Sequence, residues 1–600
     1  MKAFFASFVG TLLALAAFVA VCVVLVFGGL AVLATLGEQP VTVENGAYLV
    51  LNLDGVNLTD SPPLVDESGL GWLLSGDAPK PLALRRATET LRAAAKDSRI
   101  RGVFITGMFA PADYGTGFAA LSELRGALKE FKQSGKPVKA YFDEIGTHEL
   151  YLASVAQELV VNPFGLVVMP GLSSEPMFFG AAFDKWGIGV QVTRSGKYKG
   201  AVEPYIRQDL SVENREQLEV LLKDLWNVVV ADIAEARAIS PVAVQSLVDA
   251  EGLIRPESAQ RAGLISAVGY RDELLKLLHE ETGAEDGEPF TQVAFSDYEK
   301  VLKSKPAKLD KDNTIAILYA EGEIVDGEGD KGEIGGSAFA RELRALRQDE
   351  SIVAVVLRVN SPGGSASAAE EILRELRLLK ETKHLVISMG TYAASGGYWI
   401  SAYGDRIFTE AATVTGSIGV FGMQFNVQEL GTKVGVTWDR VQTGALAGVM
   451  SNARPKSAVE LAVFQRLVDH TYDQFLDRVA EGRDLKRESV HEIAQGRVWS
   501  GEQAVKLGLA DEIGGLGSAI ACAAKLAEIK GEPALYEYPA TQPLGVAIKD
   551  LLNGHSHPET KMRGPLGGLA RQVEAQIRTL GRFNDPRGIY VRMPLELSAH

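Results

Sequence analysis

The sequence is poor in the residues from which disulfide bonds and metal sites are built. It contains two cysteines, Cys22 and Cys522, among 600 residues. One lies in an apolar N-terminal run and the other in a stretch with helical patterning, so we do not expect them to pair. The eight histidines form no HExxH pattern, and His555 and His557 stand together in a loop-like stretch. We therefore expect neither a metal site nor another cofactor.

The chain also lacks an excess of positive charge. Its 61 lysines and arginines are outnumbered by 76 aspartates and glutamates, which gives a formal net charge of −15. Because an acidic protein repels the phosphate backbone, nucleic acid is not expected as a partner. A hydrophobic content of 46% with 23% charged residues is typical of a globular protein, and the length indicates several domains.

Apolar sequence is abundant at the N-terminus. Residues 4–36 contain no charged side chain, and about 20 apolar residues are enough to span a membrane. The alternative is a cleaved signal peptide, whose apolar region has about 7–15 residues and ends at a small-residue cleavage site. Because this run is much longer, we favour a retained single-pass anchor. Lys2 precedes the run, and by the positive-inside rule it places the bulk of the chain outside the cytoplasm.

The sequence after this run contains an internal repeat. Residues 48–55 (YLVLNLDG) match residues 315–322 (IAILYAEG), and residues 136–168 align without gaps on residues 383–415. Such a repeat predicts two copies of one domain. The predicted organisation is an anchor at 4–36, an N-terminal domain at 45–300, a charged linker at 304–313, a C-terminal domain at 310–540 and an extension at 541–600.

Strands and helices are predicted to alternate in both copies, which indicates an α/β fold. Apolar runs predict strands at residues 100–105, 138–142, 352–357 and 385–388. Residues 368–380 are predicted to form one of the helices between them, because Ile372, Leu376 and Leu379 make an apolar stripe. In the extension, apolar residues between 566 and 580 recur at helical spacing and predict a short amphipathic helix.

Two glycine-rich turns in the second copy have the features of a hydrolase site. The apolar run before Gly390 is expected to break there, and Ser395 follows where a new helix would begin. A serine at a helix start lies beside unpaired N–H groups that can hold an oxyanion. The second turn, residues 360–365 (NSPGGS), offers backbone donors at Gly363 and Gly364. Each turn alone is consistent with an ordinary strand–helix connection, but together they favour acyl transfer.

A serine hydroxyl is a poor nucleophile until a base removes its proton. No histidine adjoins these turns. A lysine can act as the base only if burial or neighbouring cations lower its pKa from about 10.4 to roughly 7–8. Lys199 is the candidate, because tyrosine, alanine and valine near it in YKGAVEPY (198–205) could form an apolar wall. Arg194, Lys197 and Lys199 are equally consistent with a solvated basic edge.

The two copies differ where the chemistry is expected. The repeat position of Ser395 is His148, and that of Ser417 is Pro170. Residues 108–112 replace the glycine pair of the second copy, while residues 444–448 contain no lysine to match Lys199. Neither copy holds a full catalytic set, so we predict that one site draws on both.

The motifs NSPGGS and AASGGYW, followed by TGSIG at 415–419 and preceded by YKGAVEPY, resemble the signal peptide peptidase A family of bacterial envelope proteases. The resemblance covers most of residues 45–540, although Gly200 replaces the serine that is usual in the family. It implies the following site residues: Ser395 as nucleophile, Lys199 as general base, Ser417 as a hydrogen-bonding partner of the lysine, and Gly363, Gly364 and Gly396 at the oxyanion hole. From the residues alone, Ser417 is equally consistent with a turn serine.

The same resemblance has implications for fold and function. It implies tandem crotonase-like spirals of ββα units, as in caseinolytic proteases, and a homotetramer. It also implies a serine endopeptidase anchored in the inner membrane, with catalytic domains on the extracytoplasmic side, that degrades cleaved signal peptides and other unfolded apolar peptides. The alternative is that the glycine turns serve an acyl-thioester enzyme or a catalytically silent membrane scaffold.

Overall fold

The computed structural model describes residues 41–63, 79–110, 116–285, 287–303, 313–330, 332–538, 583, 585 and 587–593, together with the single residues 10, 18 and 21. The predicted anchor, the linker before residue 313 and the amphipathic helix at 566–580 lie outside the described residues, apart from those single positions. Within the described part of the chain, no helix has the length and apolar character needed to cross a membrane.

The first α/β unit lies between residues 47 and 303. Its strands are β1 (Ala47–Asn52), β2 (Val56–Thr59), β3 (Lys80–Ala83), β4 (Ile100–Thr106), β5 (Val138–Phe142), β6 (Ile145–Gly146), β7 (Glu158–Val161), β8 (Val167–Val168), β9 (Gly189–Ser195), β10 (Leu253–Ile254), β11 (Ala267–Val268) and β12 (Gln292–Ala294). Its α-helices are α1 (Leu84–Lys96), α2 (Phe118–Gln133), α3 (Thr147–Ala153), α4 (Gly180–Trp186), α5 (Glu203–Ile206), α6 (Val212–Arg237), α7 (Pro241–Ala250), α8 (Pro256–Arg261), α9 (Arg271–Thr282) and α10 (Phe295–Lys303), with a 3₁₀ turn at Gly200–Val202.

The second α/β unit begins at Thr314. Its strands are β13 (Thr314–Glu321), β14 (Glu323–Val325), β15 (Glu333–Gly335), β16 (Ile352–Ser361), β17 (Gly363–Ser365), β18 (His384–Ala394), β19 (Arg406–Thr409), β20 (Val414–Gly416), β21 (Val420–Asn426), β22 (Val498–Ser500), β23 (Glu512–Ile513), β24 (Ala534–Tyr538) and β25 (Ile589–Arg592). Its α-helices are α11 (Gly336–Gln348), α12 (Ala366–Lys380), α13 (Gly396–Ser401), α14 (Gln428–Lys433), α15 (Ala458–Arg483), α16 (Arg487–Ile493), α17 (Gly501–Lys506) and α18 (Leu516–Leu526).

Both units are built on a parallel sheet with the same strand order. In the first unit the order is β11-β7-β5-β4-β1-β12, and every neighbouring pair is parallel. In the second unit, β23-β19-β18-β16-β13-β24 follow one another in the corresponding positions, again with parallel pairing. The α/β fold predicted from alternating strands and helices is confirmed.

The helix predicted at residues 368–380 of the second copy is present as α12, and the apolar residues from which it was predicted are buried. Ile372, Leu376 and Leu379 are fully buried on α12, beneath the sheet that contains β16. The expected break at Gly390 is wrong, since β18 continues to Ala394. The strand is extended because its last residues pair with β20, Ala394 lying opposite Gly416. The sharp turn therefore falls at the next residue, Ser395.

A third sheet joins the two units. Its order is β15-β14-β17-β25-β21-β9, so strand β9 of the first unit enters a sheet formed by the second. β9 and β21 are antiparallel and pair along their full length, from Ser195 opposite Val420 to Gly189 opposite Asn426. Hydrogen bonds along a strand fix its register. The chain that follows β9 is therefore held at a defined position against the second unit.

A buried charge cluster also joins the units. Arg358 on β16 has no exposed surface, and its guanidinium lies 2.7 Å from a carboxylate oxygen of Asp60 and 2.7 Å from one of Glu123. Both acids belong to the first unit. A second contact joins Ser122 of the first unit to Glu410 of the second. Ser122 Oγ donates a hydrogen bond of 2.9 Å to Glu410, whose pKa is raised to about 7 by burial. Buried charges need such partners, so the cluster restricts how the two units can sit against each other.

Candidate active site

Ser395 occupies the sharp turn between β18 and α13. Its backbone has φ of 57° and ψ of −112°, a conformation that costs a non-glycine residue about 1–3 kcal/mol. The turn is held because the Ser395 N–H donates a 2.8 Å hydrogen bond to the carbonyl of Gly416, and the Trp399 N–H donates one of 2.8 Å back to the Ser395 carbonyl. A serine on such a strained strand-to-helix turn presents its hydroxyl away from the sheet.

Lys199 reaches this hydroxyl from the first unit. It lies four residues after the end of β9, in the loop that the β9–β21 pairing positions. Its Nζ is 2.7 Å from Ser395 Oγ, 3.1 Å from Ser417 Oγ and 2.9 Å from the Ser417 carbonyl oxygen. The side chains that the sequence predicted for the nucleophile and for the lysine partner are thus both within hydrogen-bond distance of Lys199 Nζ.

Lys199 is fully buried, and burial lowers its pKa well below the ordinary value of 10.5 because the charged form loses its water. Tyr198, Ala201 and Val202 are buried as well, which agrees with the apolar-wall interpretation. Lys197, by contrast, is exposed, with its ammonium 5.0 Å from the centre of the Tyr198 ring. The basic-edge interpretation applies to Lys197 and not to Lys199.

Lys199 has room at this position because the backbone that passes close to it belongs to Gly496, which has no side chain. A methyl group added there would lie 2.8 Å from the Lys199 Cβ and 2.7 Å from its backbone nitrogen. Those separations are shorter than van der Waals contact, so any residue larger than glycine would displace the lysine. Gly496 was missed from the sequence, because its contact with Lys199 depends on the packing of the two units.

Two polar residues of α6 also escape sequence reasoning. The side-chain amide of Gln217 donates a 2.9 Å hydrogen bond to the Tyr198 carbonyl and accepts one of 3.1 Å from the Val498 N–H. Asn214 accepts from Gln217 at 2.6 Å and donates to Glu203 at 3.2 Å. Gln217 thus ties the backbone next to Lys199 to strand β22 of the second unit. No short motif marks either residue.

The predicted oxyanion glycines lie against the same turn. Gly363 has φ of 101° and Gly364 has φ of 155°, in the region that favours glycine. A methyl group added to Gly363 would lie 2.7 Å from the amide nitrogen of Gly396. The glycine pair of NSPGGS and the glycine after Ser395 therefore share one small space, as an oxyanion hole with backbone donors requires.

The described end of the extension, Ile589–Arg592, fills the groove between β17 and β21, beside these glycines. Strand β25 is antiparallel to β17, with Val591 opposite Gly364, and antiparallel to β21, with Tyr590 opposite Phe421. A methyl group added to Gly363 would lie 2.1 Å from the Val591 carbonyl oxygen. Residues 587–593 were not predicted to take part in the site, because a strand that pairs with distant segments leaves no local signature.

The first unit has a different chemistry at the positions that correspond in the repeat to Ser395 and Ser417. The ring of His148 stacks on Phe118 with 4.8 Å between ring centroids, and burial lowers the pKa of His148 to about 4. The imidazole is therefore neutral near pH 7, as in an apolar packing role. Pro170, at the repeat position of Ser417, is exposed and has no hydroxyl.

Comparison with known proteins identifies the family of the chain. The profile described as peptidase family S49 matches the chain twice, at residues 130–285 and 377–530. The chain belongs to peptidase family S49. The two matches confirm the predicted duplication, and the family resemblance inferred from the motifs is also confirmed.

Relatives in the family are similar over most of their length. Protease 4 of Haemophilus influenzae is 34% identical over 573 residues, which cover 92% of this chain and 92% of that protein. Protease 4 of Salmonella typhi is 34% identical over 562 residues, covering 90% and 89%. The chloroplastic serine protease SPPA of Arabidopsis thaliana is 33% identical over 523 residues, covering 85% and 74%. This S49 chain is a serine protease, which favours peptide hydrolysis over the thioester and scaffold alternatives.

Proposed function

We propose that this S49 protease is an endopeptidase with a serine–lysine dyad, in which Ser395 is the nucleophile and Lys199 the general base. The observation that carries the proposal is the 2.7 Å contact between Lys199 Nζ and Ser395 Oγ inside a fully buried site. Ser417 supports it, because its hydroxyl and carbonyl, 3.1 and 2.9 Å from the amine, orient the lysine.

The reaction follows from these groups. Neutral Lys199 takes the proton of Ser395 Oγ as that oxygen attacks the peptide carbonyl, and Gly396 with the Gly363–Gly364 turn stabilises the oxyanion. The lysine then gives its proton to the departing amine, so an acyl-enzyme remains on Ser395. A water molecule that loses a proton to Lys199 attacks this ester, and collapse of the second tetrahedral intermediate returns the proton to Ser395 and releases the acid.

The substrates and location that we propose come from the family resemblance and the N-terminal run. Residues 4–36 anchor the protein in the inner membrane, and the catalytic domains lie on the extracytoplasmic side. There the protease degrades cleaved signal peptides and other unfolded apolar peptides. The two units have the crotonase-like spiral of the family and assemble as a homotetramer.

Active-site labelling tests the dyad. The purified protein is incubated with a fluorophosphonate probe, and the adduct is mapped by peptide mass spectrometry. We expect the phosphonyl group on Ser395, and much weaker labelling of Lys199→Met, because the serine then has no base to take its proton. Lys197→Met is the matched control and should label like the wild type. An adduct on another serine would assign the nucleophile elsewhere.

The rate should rise with pH. Only the neutral form of Lys199 can accept the serine proton, and its pKa is lowered by burial from 10.5. We therefore expect kcat/KM for an uncharged peptide to increase with pH through the lowered pKa of Lys199 and to level off well below pH 10.5. Initial rates across this range, with stability checked at each pH, measure it. A rate that still climbs at pH 10.5, or that falls as the pH increases, would contradict a buried lysine base.

A further inference from the structure

The position of β25 shows where a peptide chain fits in the groove. Its backbone lies between β17 and β21 and is antiparallel to both strands. Main-chain pairing of this kind is a common way for a protein to hold an extended peptide, because it depends little on the side chains of that peptide. The backbone of Ile589–Arg592 therefore marks the path of a bound substrate.

The register of β25 on this path follows from Val591. Its carbonyl oxygen lies 2.1 Å from the position that a methyl group on Gly363 would take and 3.1 Å from that of a methyl group on Gly396. A scissile carbonyl must point toward the same glycine amides for its oxyanion to be stabilised. The Val591 carbonyl lies against both glycines, so the register that we assign to a substrate places its scissile bond where the bond between Val591 and Arg592 lies. Arg592 represents the residue on its C-terminal side.

The side chain at that position meets a buried carboxylate. Arg592 Nε is 3.0 Å from Glu323 Oε1, and the Glu323 side chain is 1% exposed. Glu323 belongs to β14, which pairs with β17 through Ile324 and Gly364, so its carboxylate lines the groove next to the oxyanion glycines. It is part of the groove and not of the extension.

We propose that Glu323 makes this protease select a basic side chain, arginine above all, immediately C-terminal to the scissile bond. The inference rests on the proposed role of Ser395 at this groove. When a peptide replaces β25, a basic side chain restores the contact that Arg592 makes with Glu323, whereas a neutral one does not restore it and an acidic one adds repulsion. In a buried site these differences are large, because little water is present to solvate either charge.

Matched peptides test the selection. Five-residue cores Ile-Tyr-Val-X-Met, with X as arginine, glutamine or glutamate, are flanked by a fluorophore and a quencher and offered to the full chain. We expect kcat/KM to be at least roughly 10-fold higher for arginine than for glutamine, and lowest for glutamate, because only arginine keeps an ion pair with the buried carboxylate. Glu323→Gln should reduce the arginine preference to about twofold, and Glu323→Lys should favour glutamate.

The controls separate this proposal from the dyad. Glu328→Gln changes an exposed acid that bonds Arg341 and should keep the arginine preference. Competition from the chain's own β25 slows every peptide equally, so the ratios are unaffected. Mass spectrometry of the products verifies the cleaved bond. Equal rates for arginine and glutamine, or an unchanged preference in Glu323→Gln, would overturn the role of Glu323 while leaving Ser395 intact. Absence of all cleavage, together with absent labelling of Ser395, would instead overturn the proposed function.

Discussion

Replacing Ser395 with alanine should lower kcat by roughly 10⁴-fold or more, because no acyl-enzyme can form without the hydroxyl and the members of such a catalytic set act as a unit. The remaining groove still binds peptide, so any residual rate reflects the oxyanion donors alone. The measurement is the cleavage rate of a fluorogenic apolar peptide by the purified variant, with the enzyme concentration high enough to detect a rate 10⁴ times slower.

The variant is expected to fold normally. Ser395 and alanine are both non-glycine residues, so the unusual backbone angles at this turn cost each of them about the same. Ser401→Ala is a suitable control, since Ser401 is a buried serine of α13, the helix that follows Ser395, and its hydroxyl donates to the Gly397 carbonyl at 2.7 Å. It should lose some stability and keep its activity. A Ser395→Ala protein with a rate within tenfold of the wild type would mean that another residue is the nucleophile.

Local sequence was enough to predict which turns of the second unit carry its candidate site residues. The NSPGGS segment and Ser395 each lie at a strand–helix connection, and the small residues at these turns are required by close backbone contacts that the chain makes within itself. A methyl group on Gly397, for example, would lie 2.5 Å from the Ser361 carbonyl oxygen. Steric requirements of this kind restrict the residue type at the position itself, and so they are visible in the sequence.

The strand end and the charge cluster were not predictable in the same way. The strand containing Ala394 is longer than its apolar run, because pairing with β20 compensates for the weak strand preference of small residues. In the sequence, Arg358 is a charged residue within an apolar strand, and no neighbouring residue explains why it is there. Its partner Asp60 lies 298 residues away in the chain. Burial of an arginine is understandable only when the acids that neutralise it are known.

The burial of Lys199 is the clearest case of a property that the sequence could not supply. The residues near it were consistent with an apolar wall or a solvated edge, and the choice depends on β21 and Gly496, which belong to the other unit. The same is true of Glu323, since its contact with Arg592 joins β14 to β25. Site residues contributed by one turn are predictable, whereas the electrostatics of the site depend on the assembly of both units.

Lys199→Met should be as inactive as the serine variant, with a loss of roughly 10⁴-fold in kcat, because the serine proton then has no acceptor. Methionine is unbranched and apolar, so it occupies the space of the lysine side chain without a charge. Lys197→Met is the matched control. Lys197 is exposed two residues earlier, and its replacement should leave the rate within about twofold, as for a surface substitution. An inactive Lys197→Met beside an active Lys199→Met would move the base by two residues.

Stability provides a readout that separates the base from a merely structural lysine. The pKa of Lys199 is lower in the folded chain than its ordinary value of 10.5. Between the two values the unfolded chain binds a proton that the folded chain does not, so the free energy of unfolding of the wild type rises with pH. Lys199→Met lacks this dependence. It should melt at a higher temperature than the wild type near neutral pH, and the difference should shrink toward pH 10.5. A difference that is constant with pH would mean that Lys199 keeps an ordinary pKa and cannot serve as the base at neutral pH.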